Sequence, residues 1–157
     1  MDINDLISCL ETSPLLSLDS LNKLLFQTTI TIKDVQGCIR FNDEDYARNS
    51  LYCGMNFEIL ILCWKPNQQS PIHDHAQSSC AFKVIEGTAT ETKYDNELHC
   101  QGQRRLLLGD TCTTEGKDIH RIANLEDGNL ITVHVYSPPL SNISLYDEQT
   151  TAWIYEI

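Results

Sequence analysis

Three of the five histidines in this 157-residue chain are placed where they could hold a metal ion. His73 and His75 flank Asp74 in the stretch Ser70-Pro71-Ile72-His73-Asp74-His75. On a β-strand, residues i and i+2 share a face, so both imidazoles can reach one ion while Asp74 points away. His120 follows far downstream in Asp118-Ile119-His120-Arg121-Ile122-Ala123-Asn124. An HxH pair with a distant third histidine is how a small β-barrel gathers three ligands from neighbouring strands. Neutral imidazoles suit iron, zinc, copper or nickel. Taken alone, the HxH pair is equally compatible with two histidines that bind nothing. A second set, Thr132, His134 and Tyr136, alternates along one apolar run and therefore faces one side of a strand. On spacing alone it could equally be a core strand with a hydrogen-bonded histidine.

The elements around these residues are legible in outline. Ile3, Leu6, Ile7 and Leu10, then Leu18, Leu21, Leu24 and Leu25, recur at helical spacing. They predict two short helices separated at Ser13-Pro14, the second capped by Ser17 or Asp19. A third is expected around 31–38, and 41–50 reads as a turn-rich connection or short helix. From residue 51 the texture is that of strands, expected at 57–64, 81–85, 88–94, 105–108 and 130–136. Lys65-Pro66-Asn67, Glu86-Gly87 and Leu108-Gly109-Asp110 supply turns between them. Residues 151–157 could add an edge strand. Many short strands at regular spacing predict an antiparallel sandwich or barrel. The expectation is one domain over 1–157, with a helical part at about 1–40 and a β-barrel at about 51–157.

Bulk properties narrow the partners. A net charge of −11 repels phosphate backbones and anionic lipid, so neither nucleic acid nor a membrane surface is expected as a partner. No apolar run approaches the roughly 20 residues of a membrane span. The acidic start, Met1-Asp2-Ile3-Asn4-Asp5, does not read as a signal peptide. The seven cysteines are odd in number and lack CxxC spacing, which fits reduced thiols in the cytoplasm better than a disulfide framework.

The order of HxH, Gly87, Gly109-Asp110 and then His120 with Asn124 resembles the two motifs of the cupin superfamily. That resemblance implies a mainly β fold, a jelly-roll barrel with short N-terminal helices in front of it. There are departures. Cys80 stands where the usual carboxylate follows HxH, Asn67 replaces the first motif's leading glycine, and Glu115 and Lys117 replace a proline and a glycine of the second. Without the carboxylate, three neutral ligands leave a ferrous ion its full double charge, which favours an anionic, soft ligand such as a thiolate.

Across residues 41–139 the likeness is narrower. Asn56 to Trp64, Ser70 to His75, Cys80-Ala81-Phe82-Lys83, Ile119 to Asn124 and Val133 to Pro139 are similar to the cysteine dioxygenase family. The resemblance implies Fe(II) as cofactor on His73, His75 and His120, with L-cysteine and O2 converted to cysteine sulfinate. It implies that Arg48, supported by Tyr46, grips the substrate carboxylate, for which a guanidinium fork is the natural partner. It assigns a relay to Thr132, His134 and Tyr136, with Thr132 in place of the family's serine. It also makes Cys80 a thioether partner of Tyr136. Trp64 is expected to fill core rather than touch substrate, and no role falls to His99. A monomer is expected. The nearest alternative is a dioxygenase for another small thiol such as 3-mercaptopropionate, a subgroup that usually has glutamine at position 48. A more distant alternative is a non-redox, metal-binding cupin.

Overall fold

The computed structural model describes residues 1–13, 16–147 and, for the backbone, 150–156. Among the described residues, eleven strands form two antiparallel sheets. The first sheet has the order β1-β2-β9-β4-β7, built from β1 (Ala47–Cys53), β2 (Glu58–Trp64), β4 (Ser79–Glu86), β7 (Thr111–Thr114) and β9 (Leu130–Ser137). The second has the order β11-β10-β3-β8-β5-β6, built from β3 (Ile72–Asp74), β5 (Ala89–Tyr94), β6 (Cys100–Leu106), β8 (Ile119–Ala123), β10 (Asn142–Asp147) and β11 (Thr150–Glu156). This is the jelly-roll architecture expected, with sequence neighbours such as β3 and β4 placed in different sheets.

Two helices and a 3-10 turn precede the barrel. α1 (Ile3–Thr12) is capped by Asp2, whose carboxylate accepts from the amides of Asn4 and Asp5. α2 (Leu18–Phe26) is capped by Ser17, one of the two residues expected, through the Ser20 amide at 3.1 Å. The third helical piece is a 3-10 turn, Ile32–Cys38. Pro14, expected between the helices, lies outside the described residues, as does Ile157 of the expected edge strand.

The connection expected at 41–50 is half strand: β1 already begins at Ala47. Its side chains are half-buried or exposed, so it lacks the apolar alternation that betrays the central strands. β7 and β10 were also not expected; both are short and mostly polar.

The central strands explain their continuous apolar runs. On β2, Ile59, Ile61 and Cys63 pack outward in one core with Leu6, Leu10, Leu21 and Leu25 of the helices. Leu60, Leu62 and Trp64 pack inward in a second core with Phe82, Val84 and Ile122. Both faces are buried, so period-2 polarity disappears from the sequence. Lys83 joins the layers. Its buried ammonium donates to the carbonyls of Thr28 at 2.6 Å and Phe26 at 3.1 Å, at the carboxyl end of α2, where a cation is favoured.

Candidate active site

Strand pairing brings the histidines together. β3 and β8 pair with His73 opposite His120, and His75 follows β3 directly. The Ser70 hydroxyl accepts from the Ile122 amide at 3.1 Å, and Arg121 donates to the Ser70 carbonyl at 3.1 Å, which locks this register. Asp74 points away as expected. Its carboxylate accepts from the Ala76 amide at 2.9 Å and from the Tyr146 hydroxyl at 2.7 Å. The turn after His75 is pinned by its amide, which donates to the Gly116 carbonyl at 2.8 Å. A Cβ on Gly116 would lie 2.2 Å from the Ala76 carbonyl oxygen, so only glycine permits this approach. Asn67 has φ of 67°, a conformation asparagine tolerates better than most residues, so it can stand where the cupin motif has glycine.

One nitrogen of each of His73, His75 and His120 lies within 4.8 Å of the others, and all three residues are buried. His73 Nδ1 lies 2.8 Å from the Pro71 carbonyl and donates to it, which leaves Nε2 unprotonated. That Nε2 faces His75 Nε2 at 3.2 Å. His120 Nδ1 lies 3.0 Å from the Glu91 carboxylate, and its Nε2 is buried with no hydrogen-bond partner. Burial, the adjacent His120 and Arg48 hold the His73 pKa down at about 3, and burial likewise takes His75 well below its ordinary value. Imidazole nitrogens converging on one point, one of them buried without a hydrogen-bond partner, fit a metal ion. The cluster contains no carboxylate among the described residues.

The facing sheet supplies the rest. Trp64 Nε1 donates to Thr132 Oγ1 at 3.1 Å, and Thr132 lies 2.9 Å from His134 Nε2. His134 Nδ1 lies 3.1 Å from the Tyr136 hydroxyl. The indole can only donate, so Thr132 accepts from it, and the tautomer of His134 sets which way its bonds to Thr132 and Tyr136 run. Burial and Arg48 push His134 down, and burial pushes Tyr136 up, so both stay neutral. Phe82 stacks on the His134 ring at 4.7 Å and 9°. Trp64, expected only as core, thus anchors this chain and also walls the pocket.

Cys80 on β4 stands directly opposite Tyr136 on β9, and such partners share one face of the sheet. Its sulfur lies 3.8 Å from His134 Nδ1, and burial raises its pKa so that the thiol stays protonated. Arg48 is half-buried on β1, paired in register with Leu62, and lines the pocket with Tyr46. Tyr46 stacks on Trp64 with ring centroids 4.3 Å apart. The pocket is partly open to solvent, and Leu140 and Ile143 also line it. His99, given no role, is exposed and sits far along β6's approach beside Asp95 and Glu97. Sequence reasoning missed Glu91, Leu140 and Ile143. Glu91 sits in Ala89-Thr90-Glu91-Thr92-Lys93, which has the look of a solvated strand, yet it is fully buried.

A jelly-roll barrel with three clustered, buried histidines has the form of a cupin with a candidate metal site. Solved structures share this fold: a double-stranded β-helix protein from Klebsiella pneumoniae (TM-score 0.64, 18% identity, 72% of this chain and 94% of that one). An RmlC-like cupin from Desulfovibrio desulfuricans also does so (TM-score 0.55, 18% identity, 64% and 90%). The chain belongs to the cysteine dioxygenase type I family, whose model matches residues 17–149. It is 31% identical to cysteine dioxygenase type 1 of Rattus norvegicus and of Homo sapiens over 121 residues, which are 71% of this chain and 60% of each relative. The chain thus matches about 60% of the length of these curated relatives.

Proposed function

We propose that this chain is a thiol dioxygenase that converts L-cysteine and O2 to cysteine sulfinate, with Fe(II) held by His73, His75 and His120. The observation that carries the reading is the convergence of three imidazoles, Arg48 and the Thr132-His134-Tyr136 chain on one pocket. Iron, when bound there, supplies Lewis acidity that deprotonates a thiol and the redox chemistry that triplet O2 needs in order to react with it.

The protein's own residues select and hold the substrate. Arg48 takes the carboxylate bidentately, and its charge also offsets the acidic character of the chain as a whole. Tyr136 presents its phenol to the pocket, held in place by His134. Leu140 and Ile143 add apolar surface to the pocket, which helps to keep water from the sulfur. Held together, thiol and O2 react as an effectively unimolecular pair. The balance is simple: RSH and O2 give RSO2H, with sulfur oxidised by four electrons and both oxygen atoms retained.

Cys80 and Tyr136 form a thioether in part of the population. The thiol hydrogen and one ring hydrogen leave with two electrons, which O2 accepts. The link holds the phenol in place at no further ordering cost. We read the helices and barrel as one domain, since the apolar helix faces pack on the outer sheet, and we place the enzyme in the cytoplasm as a monomer.

The test is O2 consumption by the Fe(II)-loaded protein with L-cysteine and, separately, 3-mercaptopropionate, for the natural chain and Arg48→Ala. Sulfinate formation faster from cysteine, with KM raised by Arg48→Ala at unchanged iron content, is expected. Loss of a charged partner in a desolvated pair costs roughly 2–5 kcal/mol. Faster turnover of 3-mercaptopropionate would reassign the substrate, and no O2 uptake with either thiol would leave a non-redox cupin.

A further inference from the structure

The three metal-facing histidines differ in what stands behind them. The outward nitrogen of His73 meets a neutral carbonyl, that of Pro71. That of His75 is buried with no hydrogen-bond partner. That of His120 meets a carboxylate, Glu91, at 3.0 Å. Glu91 has zero exposure, and every one of its bonds is to a side chain. One oxygen accepts from Arg104 Nε on β6 at 2.9 Å. The other serves His120 and the Cys112 thiol of β7, which lies 3.3 Å away. Arg104 also reaches the Cys112 sulfur. The cluster therefore runs from a half-exposed arginine, through a buried carboxylate, to a candidate metal ligand.

We propose that Glu91 is a positioning residue that supplies, through His120, the anionic character missing from the three-histidine ligand set, and that Arg104 limits how much it supplies. This rests on reading the pocket as a metal centre. β5 and β8 pair with Lys93 opposite His120, so Glu91, two residues earlier, lies diagonally across and on the same side of the ladder. A carboxylate under Nδ1 fixes the proton there and keeps Nε2 turned inward with its lone pair free. It also makes the imidazole a stronger donor. Arg104 draws the same charge the other way, towards the surface. Cys112 occupies the remaining lone pair without adding charge.

A purely structural clamp would tie β5, β6 and β7 together with the same contacts. The two roles part on sign. A clamp weakens when either charged partner is removed. A donor network weakens metal binding when Glu91 is neutralised, but not when Arg104 is, since the carboxylate's charge then falls more fully on His120.

The experiment is anaerobic titration of the metal-free protein with Fe(II), and with Co(II) followed by its visible absorption. It compares the natural chain, Glu91→Gln and Arg104→Met. The natural chain should take one equivalent. Glu91→Gln, which keeps shape and a neutral acceptor, should bind about 10- to 100-fold more weakly and shift the Co(II) spectrum. Arg104→Met should bind as tightly as the natural chain or more so. Unchanged affinity in Glu91→Gln overturns the proposal, as does equal weakening in both variants. If Glu91→Gln does not fold, Arg104→Met decides alone, and weakened binding there overturns the proposal. A natural chain that takes up neither metal refutes the metal-centre reading instead, and so is distinguishable from failure of the Glu91 role.

Discussion

The two faces of β9 divide the molecule's labour. Outward, Ile131, Val133 and Val135 pack against the helical layer with no polar atom among their side chains. Inward, Thr132, His134 and Tyr136 form a hydrogen-bonded chain on the wall of the candidate active site. Both faces are almost fully buried, so burial alone does not tell them apart. The outer face is secured by apolar area, whose cost of disruption is unfolding. The inner face buries polar groups that are tolerable only because each is paired. Damage to the inner face should therefore cost chemistry, and damage to the outer face should cost stability.

The largest separation is expected at the metal ligands. His73→Ala should lose nearly all bound iron and all turnover while the barrel stays folded, as metal analysis and circular dichroism would show. Stoichiometric iron in that variant would remove His73 from the ligand set. A change of pH should strike the same face. His73 is held near 3, and His75 and His134 lie well below their ordinary values, chiefly through burial. In the unfolded chain each takes a proton near pH 6.5. Between those limits the unfolded state binds more protons, so this stability is full above about pH 6.5 and is lost as pH falls towards 3. Urea unfolding of the metal-free protein should show stability that falls as the pH is lowered from about 7.5 to 5.5. A flat profile would mean that they are not neutral and buried together.

Ile61→Ala probes the opposite face. The side chain is fully buried against the helices, and its truncation should cost roughly 2–5 kcal/mol in denaturant unfolding. Iron content and KM of the folded fraction should not move; if they do, the faces are coupled. Thr132→Val cuts the inner chain at its centre and leaves the Trp64 and His134 nitrogens unmatched. A fall in kcat of about 5- to 10-fold is expected at unchanged iron, in line with one net hydrogen bond of about 1 kcal/mol. The smallest effect belongs to Cys80→Ser. Activity should fall only a few-fold, since an unlinked Tyr136 can still hydrogen-bond. Peptide maps of the natural chain after turnover should show a Cys80–Tyr136 peptide lighter by two hydrogens. Separate, unmodified peptides throughout would rule the link out.

The comparison also explains what could be read from the sequence. His73, His75 and Thr132-His134-Tyr136 were legible because strand parity alone puts each set on one face. His120 was legible as a distant third histidine but not its exact partner, because register between strands is set by contacts such as Ser70 with Ile122. Arg48 and Tyr46 were legible only through family resemblance, since β1 has no apolar alternation to mark it as a strand. Glu91 was invisible for a related reason. A glutamate among threonines looks solvated until Arg104 and His120 are seen to cover it. Leu140 and Ile143 follow the last central strand, where nothing in residue type distinguishes a pocket rim from a loop.

Under the proposed function, this pocket places both atoms of O2 on the sulfur of a bound thiol. The most direct measurement is turnover of L-cysteine by the Fe(II)-loaded protein under isotopically labelled O2 in ordinary water, with mass spectrometry of the product. Cysteine sulfinate carrying two labelled oxygens on sulfur is the predicted result. Label in only one oxygen, or conversion of cysteine to cystine with no sulfinate, would contradict it.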